Sequence, residues 1–227
     1  MSKRKRNVKS DETLVDLVEV TEGAQDFFER NARLLSIIAG ALLLVVGGFF
    51  AYKYLIQMPK EQEAREQMYQ AEFQFSVDSF ALALTNPGGG FEGFLDIIEN
   101  YKGTKAANIS HYYAGVSYLQ LGSYEAALDY LKDFKAAGHV TPIMKFGALG
   151  DVYSELGNFD SAINNYKKAI NAGDNDLLTS YYMKKLGMLY EHQGDTANAL
   201  AQYEAIKDKY PQSVEGRDID KHIARIN

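Results

Sequence analysis

The side chains that could do chemistry are few, and their spacing does not assemble a reactive site. The four histidines, His111, His139, His192 and His222, are scattered along the chain. None forms the H-E-x-x-H arrangement that would put two imidazoles on one helical face beside a metal. Gly88-Gly89-Gly90 follows Asn86-Pro87 but lacks the G-K-[ST] that would cradle a nucleotide phosphate, so it reads as a flexible insertion. No G-x-S-x-G elbow occurs, and the chain has no cysteine to act as a nucleophile. Asp174 and Asp176 adjoin an expected turn, where carboxylates cap helices. These residues predict a protein that is not an enzyme, with no catalytic, cofactor-binding or metal-binding residues and no small-molecule substrate.

The elements explain more. Between Leu34 and Tyr52 no residue is charged. As a helix this stretch would extend roughly 28 Å, close to the roughly 30 Å hydrocarbon core of a bilayer. Leu55 and Ile56 can lengthen it while Lys53 snorkels. A cleaved signal peptide is the other reading of such a run. The long polar head before it and the lack of an A-x-A site after it favour a retained anchor. Lys3, Arg4, Lys5, Arg6 and Lys9 resemble a nuclear signal or nucleic-acid arm taken alone; beside an apolar helix they read as a topology signal. With Arg30 and Arg33 they predict a cytoplasmic head (1–33) and a translocated tail. Within the head, Thr13 to Val20 shows no clear helical period and is expected to be partly disordered. Glu22 to Leu34 reads as a helix entering the membrane, with Phe27 and Phe28 able to rest in the interface. Ser36, Gly40, Gly47 and Ala51 share one face of the span (34–56), either as a docking face for another transmembrane helix or because glycine is common in such helices.

The seven basic and seven acidic residues of the head balance, whereas residues 54–227 carry 16 basic against 23 acidic side chains, a net charge of −7. That balance opposes nucleic-acid binding by the folded part. The absence of cysteine excludes disulfides, so it does not fix the compartment.

Beyond the anchor one pattern recurs. Ala114-Gly115-x-x-Tyr118-x-x-x-Gly122 aligns with Leu149-Gly150-x-x-Tyr153-x-x-x-Gly157 and Leu186-Gly187-x-x-Tyr190-x-x-x-Gly194, at periods of 35 and 37 residues. Ala127, Ala162 and Ala199 follow each glycine by twelve positions. The mid-helix glycines predict close approach of a neighbouring helix. The later ones predict a turn with positive φ. Tyr166, Ala169, Tyr203 and Pro211 continue the pattern in the second and third units, while Leu131 and Phe134 depart from it in the first. Lys60 to Phe75 and Phe91 to Tyr101 read as a degenerate helix pair.

This spacing and residue order resemble tetratricopeptide repeats. The fold class implied is all-α, a single transmembrane helix followed by a tetratricopeptide-repeat α-solenoid over 57–227. It would comprise a degenerate pair (60–103), repeats at about 108–141, 143–176 and 180–213, and a C-terminal capping helix (214–226). The order of head, anchor and repeats, with Tyr112-Tyr113-Ala114-Gly115 and Tyr210-Pro211-x-Ser213-x-Glu215-Gly216, is similar to the YfgM-like ancillary subunits of the bacterial Sec (SecYEG) translocon, particularly Bacteroidota relatives. The resemblance implies an inner-membrane protein with a periplasmic repeat domain that contacts the SecYEG translocon, a periplasmic chaperone or nascent secretory chains. A membrane-anchored scaffold for envelope or cell-division assembly is the competing reading.

In tetratricopeptide arrays the first helix of each pair lines a concave groove. Transferred here, the expected groove residues are Tyr112, Val116 and Leu119, then Asp151 and Ser154, then Tyr181, Lys184, Met188 and Glu191. Packing beneath the preceding helices is an equal alternative for Tyr112, Val116 and Tyr181. The clamp that holds acidic C-terminal tails is expected to be absent, because only Lys185 among its positions is basic. Asp160-Ser161-Ala162 and Asp195-Thr196-Ala197 resemble a Bacteroidota O-glycosylation acceptor at Ser161 or Thr196; N-capping of the helices that begin there is the simpler explanation.

Overall fold

The computed structural model describes the backbone of residues 9–226 and the side chains of residue 27 and residues 29–226. Among the described residues every regular element is helical. Two units divide the chain, Met1–Met58 and Pro59–Asn227.

The first unit is built on α1 (Lys9–Tyr52), followed by a π-helical turn over Lys53–Gln57. Helix therefore begins well before Glu22, through the segment expected to be partly disordered. Acidic and apolar residues that lack a helical period can still propagate a helix whose nucleus lies further along. The Phe28 side chain falls outside the described residues, and Phe27 is exposed. The helical stretch Glu29–Ser76 contains a window of mean hydropathy 2.5, none of it buried, which makes it a candidate membrane span by length and composition. Leu42, Leu43, Leu44 and Val45 are all exposed, as lipid-facing side chains would be.

The second unit stacks helix pairs. α2 (Met58–Ser76) leads into the short α3 (Phe80–Thr85) and α4 (Phe94–Asn100). Three pairs follow: α5 (Lys105–Gln120) with α6 (Tyr124–Asp133), α7 (Thr141–Glu155) with α8 (Phe159–Ala172), and α9 (Leu178–His192) with α10 (Thr196–Lys209). α11 (Val214–Ile226) covers the last pair. The expected helix at Phe91 starts three residues later, because Phe91 donates its N–H to Gly88 in a turn and Gly93 takes the N-cap. The α3 helix was not anticipated. Nor is the Asn86–Gly90 insertion free: Pro87 is buried and its carbonyl accepts from Gln74 Nε2 at 3.0 Å.

The repeated motif acts identically in each pair. Gly122, Gly157 and Gly194 adopt φ of 75°, 71° and 78°, and the residue after each donates its N–H to the motif tyrosine's carbonyl at 2.9 Å. This six-to-one bond closes the first helix and turns the chain into the second. Inside the first helices, a Cβ at Gly115 would lie 2.5 Å from Leu131, and one at Gly150 2.5 Å from the Tyr166 ring; Gly187 is covered by Tyr203 in the same way. Ala127, Ala162 and Ala199 have no exposed surface.

Apolar burial falls into three clusters. One joins Ala64, Met68 and Ala71 to Phe94, Ile97 and Ala114, and a small one joins Ala127 and Leu131 to Ala148, Leu149 and Val152. The largest runs from Ile143 through Tyr166, Leu186 and Tyr203 to Ile219.

Candidate functional site: the inner helix surface

The first helices of the pairs, α5, α7 and α9, contact one another in sequence, and α9 contacts α11. The expected groove residues lie on these helices in three different settings.

Tyr112, Val116 and Leu119 are half-buried on α5 and pack into the cluster of Ala148, Leu149 and Val152 from α7. The Tyr112 ring lies 5.6 Å from that of Phe134, and burial pushes its phenol up to about 12. These residues contribute to the α5–α7 joint, packing against the following helix, α7, whereas the alternative expected for Tyr112 and Val116 was packing beneath the preceding ones.

Asp151 on α7 centres a polar cluster. Its Oδ1 accepts from the Tyr166 hydroxyl at 2.7 Å and from Lys185 Nζ at 2.7 Å. Burial pushes the Asp151 carboxyl up, opposed by Lys185 and by hydrogen bonds from Lys185 and Tyr166. Burial also pulls Lys185 down, but the charge and hydrogen bond of Asp151 outweigh it and the net shift is upward. The ammonium also sits 5.0 Å from the centre of the Tyr181 ring. The single basic residue at a clamp position is thus paired within its own chain.

Lys184 and Glu191 face the capping helix. Lys184 pairs with Glu215, and both oxygens of Glu191 receive Arg225 at 2.8 Å. The Tyr203 hydroxyl donates to the same carboxylate at 3.0 Å. The Arg225 hydrogen bond is the largest influence on Glu191 and, with help from the Tyr203 hydroxyl and the Arg225 charge, holds it below its ordinary value against the upward push of burial. Both residues were expected in an open groove; here they pin α11 to α9. None of these ion pairs was anticipated. Asp151 to Lys185 and Glu191 to Arg225 are each 34 residues apart, and Lys184 to Glu215 is 31. Opposite charges one repeat apart on successive inner helices are the signal that would have found them.

Asp151, Ser154 and Met188 come together around a cleft of about 410 Å³ between α7, α8 and α9. Its walls include Phe159 and Tyr166 from α8, Lys185, Leu189 and His192 from α9, and Glu155 at the end of α7. Phe159 and His192 stand with ring centres 5.3 Å apart. Met188 is 46% exposed and Tyr181 36%, so α9 offers a thioether and a phenol at its surface beside the exposed His192 imidazole.

Other expected sites resolve differently. Asn175, lying between the paired acids, is the residue that caps α9: its Oδ1 accepts from Leu177 and Leu178. Asp174 instead holds the Tyr210 hydroxyl at 2.6 Å. α10 is capped by Asp195 through Asn198, whereas α8 is capped by Asn158 through Ser161 and not by Asp160. Ser36, Gly40, Gly47 and Ala51 lie on α1, where a Cβ at either glycine would meet nothing within 4 Å. Among the described residues no group of three His, Asp or Glu side chains is placed to hold a metal ion.

The fold and its inner surface define an all-α protein with tetratricopeptide-like helical repeats. Residues 146–211 match the tetratricopeptide repeat family model, a segment that runs from within α7 past the end of α10 and leaves out the divergent first pair. Comparison with curated proteins gave no match. Tetratricopeptide repeats are generally non-enzymatic scaffolds for protein–protein interaction, and the matched segment suggests such a scaffold, C-terminal in the sequence to a candidate membrane span.

Proposed function

We propose that this chain is a non-enzymatic accessory subunit of the Sec translocon. One transmembrane helix holds it in the bacterial inner membrane with its head in the cytoplasm and its repeat domain in the periplasm. There the repeat domain binds emerging polypeptides, chaperones or neighbouring translocon subunits. The observation that carries this reading is the order of a head with a basic cluster at its start and Arg30 and Arg33 at its end, an uncharged 19-residue span and a helical-repeat array. The accessible Met188 and Tyr181 support contact with varied apolar side chains over recognition of a charged terminus. In this reading Ser36, Gly40, Gly47 and Ala51 form the face that meets another transmembrane helix.

Affinity purification of the full-length protein from its native host in mild detergent, followed by mass spectrometry, tests it. Channel subunits at near-stoichiometric yield are expected. Their absence, with division or cell-wall proteins in their place, would make the chain an envelope scaffold.

A further inference from the structure

The basic side chains within α7 and α9 are all engaged inside the chain. Lys145 Nζ donates to the carbonyls of Lys132 at 2.8 Å and Phe134 at 2.5 Å, closing the end of α6. Lys184 is paired with Glu215, and Lys185 with Asp151. The acids on the same helices are matched in turn, with one exception. Glu155 receives the Tyr124 hydroxyl at 3.2 Å, and among the described residues no cation pairs with it. It stands in the wall of the α7–α9 cleft, near enough to Asp151 for their charges to interact.

The cleft therefore carries two carboxylates against one ammonium, in a unit that is itself net acidic. Its volume of about 410 Å³ lies within the usual range for a binding site. Phe159 and His192 give one wall of flat rings, and the exposed Met188 gives an adaptable apolar one.

We propose that this cleft binds extended polypeptide through an arginine or lysine flanked by apolar residues. The cationic head meets the Glu155 carboxylate while its stem and neighbours lie on Phe159 and Met188. Acidic segments are rejected, because the cation they would need is already bound to Asp151 and the surrounding field repels them. The proposal narrows the function given above and rests on its premise that the array binds polypeptide.

Fluorescence anisotropy with the full-length chain in mild-detergent micelles tests it, using labelled twelve-residue peptides that alternate leucine with arginine, glutamine or glutamate. Binding to protein-free micelles is subtracted. The expected order is arginine, then glutamine, then glutamate, with about tenfold between the extremes. Glu155→Gln should weaken the arginine peptide about threefold and leave the glutamine peptide unchanged, as suits an exposed charge pair. Circular dichroism checks that the variant is folded. Glu155→Lys should bring the glutamate peptide level with the arginine one or above it. Equal binding of the arginine and glutamate peptides, no binding of any peptide, or an order that Glu155→Lys leaves untouched would overturn the proposal. Failure to recover the channel while the peptide order holds would remove only the translocon reading. Recovery of the channel with indifferent peptides would remove only this one.

Discussion

At the scale of single residues, the mid-helix glycines hold the array together by what they lack. Gly115, Gly150 and Gly187 are covered by Leu131, Tyr166 and Tyr203, each sixteen positions later. This part was legible because both partners belong to one helical hairpin, so sequence distance sets spatial distance. Alanine at Gly150 would gain about 1 kcal/mol of helix propensity but must push a buried tyrosine off Asp151. A net destabilisation of about 1–3 kcal/mol is expected in denaturant melts, whereas Gly40→Ala, which lies in the first unit, should leave the midpoint of the repeat unit unchanged. A second effect concerns acid. Burial holds His111 below its usual range, helped by Lys135 and opposed by Asp133, and its buried Nδ1 has no hydrogen-bond partner among the described residues. The unfolded chain therefore takes up a proton near pH 6.5 that the folded chain refuses. That contribution to stability is present above this value and is lost as pH falls from it towards the lower folded pKa. Melting temperatures at pH 7.5 and 5.5 should differ less in His111→Asn than in the parent; His222, shifted the same way by burial, keeps part of the difference.

Among elements, the pairs were readable and their neighbours were not. Loop glycines and periodic alanines fix hairpin geometry locally, but the angle between one hairpin and the next decides which charges meet. The Asp151–Lys185, Lys184–Glu215 and Glu191–Arg225 pairs depend on that angle, so three residues assigned to an open groove also tie successive helices together. The capping helix shows the consequence. α11 buries Ile219 completely while Arg217, Asp218 and Lys221 face solvent, giving the end of the array a polar surface. Ile219→Ala should cost about 2–4 kcal/mol and raise hydrogen exchange in α9 and α10, with α2 to α6 spared. Arg225→Ala should loosen α11 by much less, because that guanidinium is exposed.

For the whole molecule, charge and hydropathy divide the labour: a neutral head rich in paired signs, an uncharged span, and an acidic folded unit. The absence of native cysteine makes its topology directly measurable. With single cysteines at Ser2 and at the exposed Asn164, a membrane-impermeant maleimide applied to intact spheroplasts should label the second and spare the first. The reverse pattern would place the repeats in the cytoplasm. The division of the core into separate clusters bears on mechanics. Between the first and second pairs, the small cluster around Leu131 and Val152 and the Lys145 latch onto the end of α6 connect two larger apolar bodies. Tension applied along the array would concentrate at this seam. It would part there before either body yields, leaving α7 to α11, with the cleft intact, as the piece that keeps its grip under load.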